Sequence, residues 1–181
     1  MNLTKSEYQE YLGAHLKLLQ FVGIELNIIP RKMTLKQFLD IDSQIKFKCR
    51  QEFIKSKDIL DKYLEVNSVN LSLNEINILN SFKKRITSKF IILKCLTHYA
   101  IFIDTKSDDI FAVKSLSDSF NYFFDSFPVI VSATILPFKD KIIYDGFFEG
   151  PVMYVGSNMT KSFLSEYKSA KVHGLIISTI E

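Results

Sequence analysis

The sequence predicts an α+β fold in which an N-terminal helical part packs on a small, mostly antiparallel sheet or a partly closed β-barrel. In the first half of the chain, apolar residues recur at helical spacing behind helix-capping signatures. In the second half, short apolar runs rich in β-branched and aromatic residues alternate with polar turns. The period changes near Ser88, so we expect a helical part over residues 1–88 and a β-rich part over residues 89–181. Almost no linker separates the two parts, which predicts one compact unit.

Four helices are predicted in the helical part, and three of them begin at a capping box, a Ser or Thr followed three residues later by Glu or Gln. The three pairs are Thr4 with Glu7, Thr34 with Gln37, and Ser72 with Glu75. The first of these helices is predicted to end near Gly23, the second at Leu39 and the third near Thr87. The remaining helix, residues 43–66, is long and amphipathic, with apolar residues along one face and a basic exterior.

The β-rich half contains seven predicted strands, and the loops between them are short enough to imply mainly antiparallel pairing. The strands cover residues 89–96, 98–104, 110–116, 128–138, 141–148, 151–156 and 175–180. Two interruptions, residues 118–124 and 160–171, show apolar or aromatic side chains at helical spacing. We therefore expect one or two helices among these strands.

The strongest single signal is the segment 127–148, in which two apolar runs flank a polar turn at residues 139–141. It predicts a long antiparallel hairpin in the core of the sheet. The second run breaks at an Asp-Gly pair that begins at Asp145. Asp-Gly favours turn conformations, and such a break inside an apolar strand indicates a β-bulge. Since bulges often lie beside functional sites, Tyr144, Asp145 and Glu149 form a candidate pocket.

Composition indicates an ordinary globular protein with a phenylalanine-rich core. The chain has 181 residues, 47% of them hydrophobic and 24% charged, with 16 Phe, 8 Tyr and no Trp. That length is enough for a sizeable core, and the small number of Gly and Pro argues against disorder. The N-terminus lacks the apolar core of a signal peptide, and no segment approaches the roughly 18 apolar residues of a membrane span. We therefore expect a cytoplasmic location and no membrane partner.

The sequence contains no motif for a metal, an organic cofactor or nucleophilic catalysis. P-loop, dinucleotide-binding, HExxH and GxSxG patterns are missing, and the three histidines, His15, His98 and His173, lie far apart. Cys49 and Cys95 stand alone in their segments, so both are expected to be free thiols. We expect no cofactor and no metal, and we assign no catalytic residue.

Positive charge is concentrated in the first half of the chain. Residues 1–90 contain 15 Lys and Arg against 10 Asp and Glu, whereas the formal net charge of the whole chain is only +3. Clustered cations of this kind bind the phosphates of nucleic acids. The basic residues that would form such a surface are Lys46, Lys48, Arg50, Lys55, Lys57, Lys83, Lys84, Arg85 and Lys89.

Three segments resemble a group of uncharacterised bacterial proteins that share a C-terminal LPFK-x-x-IIYDG hairpin module. The segments are LSLNEINILNSFKKRITSKFIILKCLTHYAIFID, LPFKDKIIYDGFF and YKSAKVHGLIIST. The shared pattern is a capped helix that leads to a Phe-Ile-Ile strand, then the hairpin, then a close with Tyr, Ala-Lys and Gly-Ile-Ile. The resemblance covers about residues 71–180. It implies that this region is a recurrent module, and it implies no activity.

The lack of a convincing catalytic constellation favours a non-enzymatic intracellular binding module, an adaptor, regulator or accessory subunit that recognises another protein. Two alternatives stay open at this point. The first is a nucleic-acid-binding protein that uses the basic helical face. The second is a small metal-dependent hydrolase or nuclease that uses Asp145 and neighbouring carboxylates with a divalent cation. The sequence leaves the oligomeric state undetermined.

Overall fold

A six-stranded mixed sheet and seven α-helices make up the described region of the chain, residues 1–180 of a computed structural model. This is an α+β fold, as the sequence predicts. The chain divides into two units. The helical unit comprises Gln9–Lys83, and the sheet unit comprises Met1–Tyr8 together with the chain from Lys84 onward.

Capping boxes open three of the helices, as predicted. The helices are α1 (Lys5–Glu25), α2 (Leu35–Asp40), α3 (Ser43–Lys55), α4 (Ile59–Asn67), α5 (Leu73–Ser81), α6 (Phe120–Phe123) and α7 (Ser157–Val172). At α1, the Thr4 N–H donates to Glu7 Oε2 at 3.0 Å, and the Glu7 N–H donates to Thr4 Oγ1 at 3.2 Å. The same reciprocal bonds open α2 and α5. Among the described residues, none of the helices has both the length and the apolar character needed to cross a membrane.

The strands close into a partial ring. They are β1 (Ile86–Cys95), β2 (Ala100–Asp104), β3 (Ile110–Lys114), β4 (Val129–Phe138), β5 (Lys141–Tyr154) and β6 (Ile176–Ile177). Their order is β2-β1-β4-β5-β3-β6, and β2 also pairs with β3, so β1 to β5 form a ring. The pairings of β3 with β5 and with β6 are parallel, and the other four are antiparallel. The prediction of a mostly antiparallel, partly closed sheet is confirmed.

Each face of the sheet carries its own apolar layer. On one face, a cluster built on Ile91, Ile101 and Ile103 includes Tyr167 and Ala170 of α7. On the other, aromatic rings pack in series. Phe90 lies 5.8 Å from Phe102, and Phe102 lies 5.2 Å from Phe120, measured between ring centroids. Burying this much apolar surface is the main favourable contribution to folding. The Phe-rich core that the composition predicts is present.

The predicted helix over residues 43–66 is in fact two helices, α3 and α4. Ser56 leaves the helical conformation, with φ −83° and ψ 130°, and its hydroxyl oxygen accepts the N–H of Ile59 at 3.2 Å. A Ser side chain that bonds to the backbone competes with the helical hydrogen-bond ladder. This local competition ends α3 at Lys55, where amphipathic spacing alone gives no stop signal.

The predicted end of the last N-terminal helix near Thr87 is also wrong. The helix α5 ends at Ser81, and a 3-10 turn, Phe82–Lys84, leads into β1. The Thr87 hydroxyl lies 2.8 Å from that of Thr134, its cross-strand partner on β4. Pairing with β4 therefore takes Thr87 into the sheet.

Two further predicted boundaries differ from the structure. The separate strands predicted over residues 141–148 and 151–156 are one strand, β5, which bends at irregular positions but keeps its pairing with β4. The strand predicted over residues 175–180 is reduced to β6, which has two residues. β-Bulges let a strand change direction without ending, and sequence patterns do not separate the two cases.

Residues of the N-terminus join the sheet unit through specific contacts. Asn2 forms a parallel bridge with Ser115, and its side-chain amide donates to the Ser117 carbonyl at 2.6 Å. The carboxylate of Glu7 pairs with the ammonium of Lys141 at the start of β5. The hydrogen bonds from Lys141 and Thr4 hold the pKa of Glu7 at about 2. The first turn of α1 is thereby tied to the sheet.

Both cysteines are free thiols, as predicted. Cys49 is buried and Cys95 is half-buried. Burial raises the pKa of each thiol to about 11. Since the thiolate is the reactive form of cysteine, both side chains are in the less reactive thiol form at neutral pH.

A buried histidine lies in the core of the helical unit. The Tyr11 hydroxyl and His15 Nδ1 are hydrogen-bonded at 2.9 Å, and the His15 ring meets Phe82 edge-on with centroids 5.8 Å apart. Burial, with a smaller contribution from the charge of Arg50, lowers the pKa of His15 to about 3. The imidazole is therefore neutral in the folded protein.

This neutral histidine predicts a loss of stability in mild acid. The unfolded chain takes up a proton at His15 below a pKa of about 6.5, whereas the folded chain does not, so folding becomes less favourable as pH falls from 6.5 toward 3. When the pH falls from 7 to 5, protonation of His15 in the unfolded chain should lower the unfolding free energy by about 2 kcal/mol. Urea denaturation of wild type and His15→Gln at both pH values measures this loss. Equal losses in the two proteins would contradict the assignment.

Candidate functional site

The predicted β-bulge at Asp145 is present in β5. Ala133 pairs with Phe148 and Ile135 pairs with Tyr144, so three residues of β5 lie opposite one residue of β4. Gly146 takes a φ of +97°, a conformation that favours glycine. The Asp145 Oδ1 atom accepts the N–H of Phe147 at 3.2 Å, which holds the backbone in this shape.

The bulge brings two aromatic rings of one strand into contact. In a regular strand, residues four apart would be separated by about 13 Å. The ring centroids of Tyr144 and Phe148 are instead 5.1 Å apart, with an interplanar angle of 13°. The stack contacts the α6 segment: Phe120 lies 5.1 Å from Tyr144, and Phe124 lies 4.9 Å from Phe148.

The α6 segment buries two of its aromatic rings and exposes two others. Its N-cap is Ser119, whose hydroxyl oxygen accepts the N–H of Asn121. Phe120 and Phe124 are buried. Tyr122 and Phe123 remain 79% and 42% exposed, and their rings meet edge-on at 5.5 Å. Two buried Phe residues thus anchor a helical turn that presents a Tyr-Phe pair to solvent.

We call the exposed and half-buried rings of this region the aromatic surface. It consists of Tyr122, Phe123, Phe127 and Phe148. Ring contacts make it continuous: Phe123 lies 5.9 Å from Phe148, and the buried Phe124 contacts Phe127 at 6.1 Å and Phe148 at 4.9 Å. Aromatic rings bury much area per side chain, and a Tyr adds a hydroxyl for hydrogen bonding. A surface of this kind can bind an apolar segment of another molecule.

The three residues of the predicted pocket have different environments. Tyr144 and Asp145 are buried, and Glu149 is half-buried. Burial, with the negative charges of Asp145 and Asp118, raises the pKa of the Tyr144 phenol above its ordinary value. Tyr144 is therefore a neutral ring at physiological pH. In the structure, Tyr144 and Asp145 shape the bulge and support the aromatic surface.

No group of three or more His, Cys, Asp or Glu side chains within residues 1–180 is placed to hold a metal ion. His15, the most deeply placed of the three histidines, contacts aromatic neighbours in the helical unit.

Several of the predicted phosphate-binding residues form hydrogen bonds or ion pairs within the protein. Lys46 Nζ donates to the Leu39 carbonyl at 2.6 Å, and Lys55 Nζ lies 2.8 Å from Glu52 Oε1. Lys83 pairs with Asp61 at 2.6 Å. Burial lowers the pKa of the half-buried Arg85. The remaining exposed lysines of the predicted surface are Lys48 and Lys57 in the helical unit and Lys84 and Lys89 in the sheet unit.

Arg50 is fully buried in the helical unit. Its guanidinium carbon lies 5.9 Å from the centroid of the Phe47 ring. A side chain with no exposed surface cannot contact a phosphate without unfolding its surroundings. The structure therefore gives Arg50 a place in the core.

A substitution tests whether Arg50 stabilises the core, as its burial indicates, or has no structural role. Arg50→Ala removes a large buried side chain and its polar contacts, so the unfolding free energy should fall by about 3 kcal/mol. The matched change at the exposed Lys48, Lys48→Ala, should alter it by less than about 0.5 kcal/mol. Urea denaturation measures both. An Arg50→Ala protein as stable as wild type would show that the guanidinium has no structural role.

The sequence reasoning missed the aromatic surface, although a signal was present. The segment 120–127 reads FNYFFDSF and contains five aromatic residues within eight positions. One short helical turn has only one buried side, so it cannot bury all of them. When a short helix contains more aromatic residues than its buried side can hold, some of the rings are expected to be exposed.

Comparison with known proteins supplies no relative from which a function could be carried over. No protein-family model matches the chain, and neither a curated protein nor a solved structure matches it. A function for this chain must therefore be inferred from its own geometry.

Proposed function

We propose that the protein is a cytoplasmic, non-enzymatic binding module that recognises another protein through the aromatic surface. The supporting observation is the exposure of Tyr122 and Phe123 on a helical turn whose own anchors are buried. Clustered exposed aromatic side chains mark interaction sites, since soluble proteins otherwise keep such patches small.

The support beneath the rings favours tight binding. Binding costs free energy when side chains and loops must be ordered, and a surface that is already rigid avoids part of this cost. Phe120 and Phe124 fix the backbone of α6, and Phe148 contacts Phe123 from the neighbouring strand. Tyr and other large aromatic residues dominate the energetics of many protein interfaces.

Charge near the aromatic surface suggests the kind of segment that binds. Asp118 and Asp125 lie on either side of α6 in the chain, and both side chains are exposed. Complementary charges steer association and set its specificity. We therefore expect a partner segment with an apolar or aromatic centre and flanking Lys or Arg residues.

A peptide-display selection tests this function. A library of random linear peptides is selected against the wild-type chain and depleted against the Tyr122→Ala, Phe123→Ala double variant. The selected peptides should have apolar centres and basic flanks, and Phe123→Ala should weaken their binding at least about tenfold by calorimetry, because it removes a central contact.

The matched control is Met159→Ala, which removes a large exposed apolar side chain from α7 of the same unit. It should leave the affinity unchanged. Peptides that bind the double variant as tightly as wild type, or a selection that enriches no peptide, would contradict recognition through the aromatic surface.

A further inference from the structure

The helical unit contains an open pocket of about 360 Å³ that is separate from the aromatic surface. Lys17, Gln20 and Phe21 of α1 line one side, and Tyr63 and Asn67 of α4 line the other. Three aliphatic side chains complete the wall. Pockets of this size with mostly apolar walls and a few polar groups are typical of small-molecule sites.

Tyr63 lines this pocket and has an unpartnered hydroxyl. The residue is only 4% exposed, and within residues 1–180 its hydroxyl has no hydrogen-bond partner. No fully buried side-chain oxygen or nitrogen in the described chain lacks a partner, so the hydroxyl keeps some exposed surface, and Tyr63 lines the pocket. Burial and the charge of Glu75 raise the pKa of this phenol to about 12. It therefore keeps its proton and can donate a hydrogen bond.

The amide side chains of the pocket offer acceptors. Gln20 Nε2 donates to the Met33 carbonyl at 2.6 Å, and Asn67 Nδ2 donates to the Tyr63 carbonyl at 3.0 Å. These bonds orient both amides and leave their oxygens to accept from a ligand. Asn70 adds an exposed amide at the rim.

The charges of the pocket compensate each other. Lys17 Nζ lies 2.6 Å from Glu75 Oε1, and hydrogen bonds from Lys17 and Ser72 lower the pKa of Glu75 to about 2. Glu75 is therefore ionised at neutral pH, and its carboxylate balances the positive charge of Lys17. The other polar groups of the pocket are a phenol and amides, so the site favours an uncharged ligand.

The aromatic side chains give the pocket a shape for a planar ligand. Phe21 and Tyr63 are in ring contact, with centroids 5.1 Å apart and an interplanar angle of 58°. A ligand that lies against these rings must present at its edge an acceptor for the Tyr63 hydroxyl and donors for the Gln20 and Asn67 oxygens. Nucleobases combine a flat apolar face with such an edge.

We propose that this pocket is a binding site for an uncharged nitrogen heterocycle of the nucleobase or nucleoside class. The Tyr63 hydroxyl donates to a ring nitrogen or carbonyl oxygen of the base. The Gln20 and Asn67 amide oxygens accept from its N–H groups. The pairing of Lys17 with Glu75 leaves the site without net charge.

Calorimetric titration of the full chain with adenosine, guanosine, cytidine and uridine tests this site. At least one nucleoside should bind, and its affinity should fall about fivefold in Tyr63→Phe, which removes only the hydroxyl. Asn70→Ala should also weaken binding. The melting temperature of Tyr63→Phe should match wild type, because the lost oxygen has no partner in the protein.

The matched controls are Tyr154→Phe in the sheet unit and Asn77→Ala on α5, which should leave nucleoside binding unchanged. The proposal is overturned if none of the four nucleosides binds, or if Tyr63→Phe binds as tightly as wild type. It is also overturned if the 5′-monophosphate of the bound nucleoside binds more than about tenfold more tightly than the nucleoside, which would indicate an anion site. Peptide binding at the aromatic surface should be unaffected by Tyr63→Phe, so the two sites are tested independently.

Discussion

The stacked contact between Tyr144 and Phe148 is the interaction on which the candidate site depends. Both rings come from β5, and only the bulge between them allows their centroids to lie 5.1 Å apart. The backbone conformation at Gly146 and the hydrogen bond to Asp145 maintain that bulge. The stack contacts Phe120 and Phe124. These two buried residues anchor α6, which exposes the rings of Tyr122 and Phe123. A local irregularity of one strand therefore determines a surface feature formed by another segment.

The same bulge divides β5 into two parts that pair with different strands. Before it, Ile142 and Ile143 pair with β4 on one side and with β3 on the other, which closes the ring of strands. After it, the described pairing of β5 is with β4 alone. A β-bulge increases twist and redirects a strand, so this strand can complete the ring and then continue past it. The parallel seam with β3 comprises two residue pairs, which makes the closure partial.

Local signals in the sequence predicted the features that depend on neighbouring residues. The capping boxes at Thr4, Thr34 and Ser72 formed because a Ser or Thr and a Glu or Gln three positions later satisfy backbone N–H groups without outside help. The bulge at Asp145 was predicted for the same reason. Two features that depend on distant partners were not predicted. Neither the parallel seam nor the burial of Arg50 leaves a short-range pattern, and basic residues on an amphipathic helix are more often solvated.

The pocket at Tyr63 could not have been found from sequence for a related reason. Its lining comes from α1, α2, α4 and the chain that follows α4, and no two of its polar groups form a motif. The aromatic surface was different, since the FNYFFDSF segment carried the signal in one short stretch. The composition predicts a Phe-rich core, and that expectation does not account for the rings that the short helix cannot bury.

The central claim is that the Tyr144–Phe148 stack orders the exposed rings, and two substitutions of buried aromatic residues test it most directly. Tyr144→Ala removes one ring of the stack, and Phe138→Ala removes a buried ring from the end of β4, outside it. Each should lower the unfolding free energy by about 3–5 kcal/mol. The affinity for peptides selected on the aromatic surface is then measured by calorimetry under conditions where both variants are folded. We expect Tyr144→Ala to weaken binding at least about fivefold, although Tyr144 is itself too buried to touch a partner, and Phe138→Ala to leave it unchanged. Full affinity in Tyr144→Ala would show that the aromatic surface does not depend on the stack.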